Sequence, residues 1–433
     1  MRMSFIHSLF VLLVLSGIQS YAAQNPIIGY WEGVAKIPND EMRFMVTFKA
    51  DGDRITGAID IPDSGILAGS LTKISAKNSK VHFEFPTDLA NIPFDGEASG
   101  DSISGTFQFG FSASVPFVLK RIEAKPLPYT QEEVRYKNGN VSLAATLLIP
   151  STKAPHAAIV FHHGAFQDTR DVWRFYADHL VRRGIACLIY DNRGAGDSTG
   201  YPRASFDDLA GDALAGVQLL KGRKDIDPKQ IGLWAKSQGG WISPLAAARS
   251  KDVAFIILIS APGVTVARNV LYESETKLRA AGFSEEEIRR ALEVKKSIED
   301  TARTESWEKA EDSFQKSKSE KWFPYIGVPE RNSWFRWWWT LVGNYDPKPL
   351  WEKTTIPVIN VGGELDKNVP VEESVTRMEG ALRKAGNRDF TVKVFPKANH
   401  SILVTSESGR PRLALGFLDF ITDWLLKRVI VKS

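Results

Sequence analysis

A chain of 433 residues is too long for one average domain and suits two, or one large domain carrying an insertion. Its composition, 43% apolar and 24% charged with no low-complexity tract, is that of a globular protein with a sizeable core. With 55 basic residues well mixed among 51 acidic ones, the net charge of +4 is too weak to make nucleic acid a partner.

Residues 1–22 read as a signal peptide. Arg2 supplies a positive start, and "FIHSLFVLLVLSGI" is an apolar run too short for a comfortable membrane span. In "QSYAAQ", cutting after Ala22 puts Ser20 and Ala22 at the two small-residue positions, and Ala23 is the next choice. An uncleaved anchor is the alternative; a lipid anchor lacks the nearby cysteine it needs. The expected location is therefore periplasmic or secreted, without stable membrane insertion. Export permits disulfides, yet Cys187 is the single cysteine and falls inside the apolar strand "GIACLIYD", as a small buried hydrophobe. Neither an intrachain disulfide nor a cysteine-rich metal site is possible.

From residue 25 to 122 the pattern has period two: "RFMVTFKA", "RITGAIDI", "KVHFEF", "SISGTFQFG", "VPFVLKR". Short alternating runs bounded by Gly, Asp and Asn predict antiparallel strands with one buried face, a small all-β domain, sandwich or barrel-like. "DGDRITG" and "SGDSISG" share Gly-Asp-x-Ile-x-Gly, as two turns leading into equivalent strands would. The prolines of "IEAKPLPYTQEE" mark a linker.

Beyond it the texture changes to fully apolar runs alternating with helical stretches: "HAAIVFHHGA", "IACLIYDNRG", "QIGLWAKS", "VAFIILISAP", "IPVINVGGE" and "DFTVKVFPKANH". Strands apolar throughout are buried on both faces, so residues 123–263 and 356–433 predict a mostly parallel sheet flanked by helices. Residues 264–355 interrupt it as a helical cap insertion. Its charged half, "SEEEIRRALEVKKSIEDTARTESWEKAEDSF", reads as a solvated helix face. In the aromatic half, Trp334, Trp337, Trp338 and Trp339 cannot all point into one packing seam. Some belong to a core; the others could line an apolar cavity over an active site.

Functional groups in open parallel sheets collect at the carboxyl ends of strands. "QIGLWAKS" delivers Ser237 there, between Ala235 and Gly239, on what reads as a sharp strand-to-helix turn. A serine hydroxyl needs a base and an orienting acid to become a nucleophile. "VINVGGELDKNVP" offers Asp366, with Glu364 as the alternative acid, and "FPKANHSI" offers His400. In "FHHGAF", Gly164 permits a tight turn, so that the amide of Ala165 or Phe166 could join that of Gln238 in a two-donor oxyanion hole. His162 and His163 flank that turn as structural residues. No His-Glu-x-x-His motif or carboxylate pair points to metal, and no cofactor is implied.

These residues resemble the α/β-hydrolase superfamily over roughly Glu132 to Leu426. The marks are "HHGA", "YDNRGAGDSTG", "AKSQGG", "GGELDKNVP" and "NHS", with Ala235 where the family's Gly-x-Ser-x-Gly has its first glycine. Asp366 sits where the family's Gly-x-x-Asp acid falls. In the loop after "LIYD", the resemblance implies that Asp191 and Arg193 form a structural ion pair. The layout, with the Trp-x-Gly opening at Trp31 and Gly33, also resembles bacterial esterases that carry a β-domain ahead of the catalytic domain and a helical cap. It implies a serine esterase in which Ser237, His400 and Asp366 form the triad and Gln238 and Ala165 the oxyanion hole, with Phe166, Trp337 and Trp338 as expected substrate-binding residues. The substrate would be a small-molecule carboxylic ester. A serine peptidase of prolyl-peptidase or aminopeptidase type is the alternative. A third possibility makes the β-domain a binding module and the rest a relic.

Overall fold

The computed structural model describes residues 25–37, 39–87, 90–109, 113–165, 168–202, 204–304, 307–328 and 334–431, which fall into two compact units. The first spans the chain up to Leu127 and includes Thr405–Arg412. Its strands are β1 (Gly29–Ile37), β2 (Asp40–Asp51), β3 (Arg54–Ile61), β4 (Ile66–Ser70), β5 (Thr72–Lys77), β6 (Lys80–Pro86), β7 (Asn91–Ser99), β8 (Ser102–Phe109) and β9 (Ala113–Ile122). They form one antiparallel sheet in the order β4-β3-β2-β1-β9-β8-β7-β6-β5. Trp31, Ala35 and Ile37 of β1 and Met42, Phe44, Val46 and Phe48 of β2 alternate inward onto a single core, as period two requires. At its centre Phe83, Phe94 and Phe107 stack at 4.7 and 4.8 Å between ring centroids. The repeated Gly-Asp is a repeated turn. Gly52 joins β2 to β3 at φ +56° and Gly100 joins β7 to β8 at φ +54°, each in a two-residue hairpin loop with glycine leading. Within the same unit the buried Arg410 reaches Asp40 at 3.0 Å and Asp63 at 3.3 Å. Burial raises the Asp40 carboxyl, but hydrogen bonds from Arg410 and Ser408, with the Arg410 and Arg412 charges, hold it at about 2.

The second unit is built on eight strands: β10 (Tyr129–Asn138), β11 (Val141–Pro150), β12 (His156–His162), β13 (Ala186–Tyr190), β14 (Ile226–Lys236), β15 (Ile256–Ile259), β16 (Val358–Gly363) and β17 (Phe390–Phe395). Their order is β10-β11-β13-β12-β14-β15-β16-β17, antiparallel over the first three and parallel from β13 to β17. Consecutive strand residues feed opposite cores. Val160, Leu188 and Leu233 face one, while Ile159, Ile189 and Trp234 face the other. Two cores explain the unbroken apolar runs. Helices α1 (Arg174–Val181), α2 (Phe206–Lys221), α3 (Gly239–Arg249), α9 (Val371–Lys384) and α10 (Phe417–Leu426) cover the sheet. A capping box, Ser205 with Asp208, starts α2.

Between β15 and β16 the chain makes an excursion through α4 (Val266–Ala280), α5 (Glu285–Thr304), α6 (Trp307–Ser317), α7 (Trp334–Val342) and the short α8 (Lys348–Trp351). Leu278, Ile288, Ala291, Trp322 and Ile326 give it a small core of its own. Of the aromatic run, Trp339 is 2% exposed and donates to the Glu299 carbonyl. Trp338, expected among the substrate-binding residues, is 6% exposed and packs edge-on against Phe206 of α2. Phe206 also stacks on Trp241 of α3 and meets Tyr345 edge-on, so Trp338 completes an aromatic cluster against the helix that follows Ser237.

The expected Asp191–Arg193 pair does not form. Asp191 turns to the buried Arg170, at 2.9 Å, and accepts the Arg170 and Asp197 amides, which shapes the loop after β13. Two residues further on, Arg193 points to α2 and binds Asp212 through Nε and Nη2 at 2.7 and 2.6 Å. Each charge is used where its loop touches a different layer. Asp212→Ala would remove the nearest carboxylate from the buried Arg193 guanidinium and leave it Asp208 at 3.6 Å, so urea unfolding should show a loss of about 3 kcal/mol. A loss under ~1 kcal/mol would mean the pair is not what holds this loop.

Candidate active site

Ser237 follows the last residue of β14 and precedes α3, at φ +52°, a left-handed conformation that a side-chain-bearing residue holds only under constraint. Its amide is fixed to the Ile259 carbonyl at 2.9 Å, and its own carbonyl receives the Gly240 amide at 2.8 Å. The turn is so tight that a Cβ on Gly239 would lie 2.3 Å from Ala235 Cβ and 3.0 Å from His162 Cε1. One on Gly240 would lie 2.5 Å from Ala261 Cβ. The small residues two before and two after Ser237 are therefore in mutual contact, which is why both must be small. Ser237 itself is half-buried.

Asp366 follows β16, with its side chain wholly buried. One carboxylate oxygen accepts the amides of Asn368 and Val369 at 2.8 and 3.0 Å; the other meets His400 Nδ1 at 2.7 Å. His400 stands in the turn after β17 with 18% of its side chain exposed. Glu364, the alternative acid, is exposed and accepts the Lys397 amide instead. Lys236, immediately before Ser237, donates to Ser401 Oγ, immediately after His400, at 2.8 Å. That bond brings the serine turn and the histidine turn together. Among the described residues no hydrogen bond joins the Ser237 hydroxyl to His400.

On the other side, a Cβ on Gly164 would lie 3.8 Å from Ser237 Cβ, so the turn after β12 runs beside the serine. Gln238 Nε2 donates to the Gly164 carbonyl at 3.1 Å. Since the peptide is planar and trans, the Ala165 N–H points away from that contact. Among the described residues neither the Gln238 nor the Ala165 amide donates to a protein acceptor, and α3 begins directly behind Gln238. Such amides suit a developing negative charge. Phe166 lies outside the described residues, as does the side chain of Trp337.

His162 and His163 are buried beneath this turn. Burial, with the neighbouring His163, pushes His162 down to about 3, and it pairs with Ser243 Oγ at 2.8 Å. Burial likewise pushes His163 down to about 4, the Tyr190 carbonyl and the Asp191 charge opposing. A carbonyl partner requires that His163 carry its proton on Nε2. Both rings are neutral hydrogen-bonding spacers. Sequence reasoning missed the Lys236–Ser401 bond and the side-chain role of Gln238. A lysine beside the serine was visible; its partner, 165 positions later, was not.

A family profile described as serine aminopeptidase, S33 (Hydrolase_4) matches residues 153–407. The quorum-quenching protein AidA of Acinetobacter baumannii (strain MDR-ZJ06) is 30% identical over 133 residues, 30% of this chain and 44% of that protein. The acyltransferase drtE of Aspergillus calidoustus is 32% identical over 133 residues, 30% of this chain and 42% of that protein. The chain thus spans less than half the length of these curated relatives. The α/β hydrolase GrgF from Penicillium sp. sh18 aligns at a TM-score of 0.46 and 20% identity, over 69% of this chain and 99% of that one.

Two outcomes follow from the packing. Gly239→Ala should reduce both stability and reactivity of Ser237, and pairing it with Ala235→Gly should recover part of each, because the clash is between those two Cβ positions. Thermal melts and active-site labelling of the single and double variants read this directly; no recovery would place the obstruction elsewhere. The neutral histidines fix a pH dependence. Unfolded, each titrates near 6.5, so between about 4 and 6.5 the unfolded chain binds more protons than the native one. Stability is complete above that range and falls with acidification, by about 1.4 kcal/mol per pH unit for each histidine. His163→Asn should flatten the slope of unfolding free energy between about pH 4.5 and 6 by that amount.

Proposed function

We infer that this chain, which belongs to the serine aminopeptidase S33 family and is a serine hydrolase of α/β-hydrolase fold, cleaves carboxylic esters through Ser237, His400 and Asp366. The observation that carries the inference is the Asp366–His400 bond at 2.7 Å, made by an acid whose other oxygen is already saturated by two backbone amides. An imidazole held at Nδ1 presents Nε2 as the base. The bond tying the two turns at Lys236 and Ser401 supports a short reach from that base to Ser237. In substrate-free enzymes such catalytic contacts are often long and close on substrate binding.

In the first half-reaction His400 Nε2 takes the Ser237 proton as Oγ attacks the ester carbonyl. The carbonyl oxygen becomes an oxyanion held by the Gln238 and Ala165 amides, each worth about 3–4 kcal/mol to the transition state. The intermediate collapses to an acyl-serine, and His400 passes its proton to the departing alkoxide. A water molecule then repeats the attack, with His400 again as base, and the carboxylic acid leaves. A serine at this turn, in place of aspartate, fits acyl transfer rather than dehalogenation. The name of the relative drtE, an acyltransferase, is consistent with chemistry at an acyl carbon. Export by the first 22 residues remains part of the same proposal, and among the described residues no helix is long and apolar enough to cross a membrane.

The family's description favours a second reading, an aminopeptidase using the same three residues. Amide and ester share the acyl-enzyme route and differ in the leaving group that His400 must protonate. Turnover of nitrophenyl esters graded in acyl length, set against aminoacyl-amides, separates the two. Ser237→Ala should lower ester turnover by at least about 10⁴-fold without moving the melting temperature, and abolish fluorophosphonate labelling. Residual turnover near that of the parent would refute the nucleophile.

A further inference from the structure

The helix that opens the excursion after β15, α4, is bound to the loop that carries Asp366. Asn269 Nδ2 donates to the Asn368 carbonyl at 3.0 Å and Tyr272 Oη to the Asp366 carbonyl at 2.9 Å, while Thr276 Oγ1 shares its proton between the Lys367 carbonyl at 2.7 Å and the Glu273 carbonyl of its own helix at 2.9 Å. Three consecutive carbonyls are thus capped by three side chains of one helix. At 3.6 residues per turn, positions 269, 272 and 276 fall within about 60° of arc, a single polar stripe. Asn269 is buried, and among the described residues its side chain is engaged through Nδ2.

The loop is gripped from inside as well. Asp366 Oδ1 accepts the Asn368 and Val369 amides, and the Leu365 amide is fixed to the Ala398 carbonyl at 2.8 Å, two residues before His400. With its amides turned inward to the carboxylate and its carbonyls turned outward to α4, the loop has one orientation, and Asp366 Oδ2 has one direction left, toward His400. We propose that Asn269, Tyr272 and Thr276 are positioning residues for the catalytic acid, which makes the first helix of the cap a fixed part of the active-site framework rather than part of a moving cover. This rests on Asp366 acting as the acid of the triad.

The test compares Tyr272→Phe, Thr276→Val, Thr276→Ser and the double variant Y272F/T276V with the parent and with Asp366→Asn, by steady-state hydrolysis of a nitrophenyl ester well below the melting temperature. The expected result is a fall in kcat of about 10–100-fold for the double variant, with KM changed less than about twofold. Tyr272→Phe should give a smaller fall of the same kind, and Thr276→Ser should keep parental kcat because it retains the hydroxyl. Variants that melt earlier yet turn over at the parental rate would overturn the inference, leaving the stripe a stability feature only. A fall confined to KM would overturn it too, assigning α4 to substrate binding. Should Asp366→Asn keep its activity, the triad assignment itself fails, whatever the α4 variants do.

Discussion

A left-handed serine between two residues that must not have bulk is the constraint on which the site depends. At φ +52° Ser237 gains nothing locally from its conformation. It is held by the strand before it, the helix after it and the Ile259 carbonyl beside it. The contact between Ala235 and the empty Cβ position of Gly239 lets strand and helix approach closely enough to impose this strain. Everything else around the serine then follows from register. Parallel strands end at one edge, so the turns after β12, β14, β16 and β17 deliver Gly164, Ser237, Asp366 and His400 to that edge.

This explains how much the sequence disclosed. Period two in residues 25–122 and unbroken apolar runs afterwards each follow from the number of buried faces, one and two, so the division between all-β and α/β texture was readable. The strand-end residues were readable because a strand end is a local event, marked by glycine and a polar exit. Partners across the fold were not. The family resemblance pairs Arg193 with Asp191, its neighbour in the chain, whereas Asp212 binds Arg193 through α2 and Arg170 binds Asp191. Periodicity reports that a side chain is buried; it carries no record of which layer it is buried against. The tryptophan run shows the same limit. Four rings announced an apolar surface, but only packing assigns Trp338 to Phe206 and Trp339 to the Glu299 carbonyl.

The excursion after β15 is consequently less separate from the catalytic sheet than its charge-rich sequence suggests. Its aromatic end enters the cluster of Phe206, Trp241 and Tyr345, and the Tyr345 hydroxyl donates to the Trp241 carbonyl, on the helix that begins at the serine turn. Its first helix engages the acid loop. Its middle keeps a buried pair of its own, Lys295 with Glu299 at 2.6 Å, and Lys295 also donates to the Ile326 carbonyl. Taking two charges out of water offsets most of their attraction, so such a pair is weak evidence of added stability. The insertion therefore combines an interior of its own with attachments to the helix after Ser237 and to the acid loop.

Those attachments fall on a division of electrostatic labour. Beneath the turn after β12, His162 and His163 stay neutral and serve only to space and orient, with Ser243 and the Tyr190 carbonyl as partners. A fixed positive charge there would attract any nearby anion, whatever its geometry. Backbone amides supply a dipole aimed at one point without that general attraction. On the other side of the site the Asp366 carboxyl accepts two amides on one oxygen and meets one imidazole with the other. The site thus sets backbone amides on one side of Ser237 and a directed carboxyl–imidazole pair on the other. That arrangement persists only while the acid loop and the serine turn keep their relative places, and the bonds from α4 and from Lys236 act on those two elements.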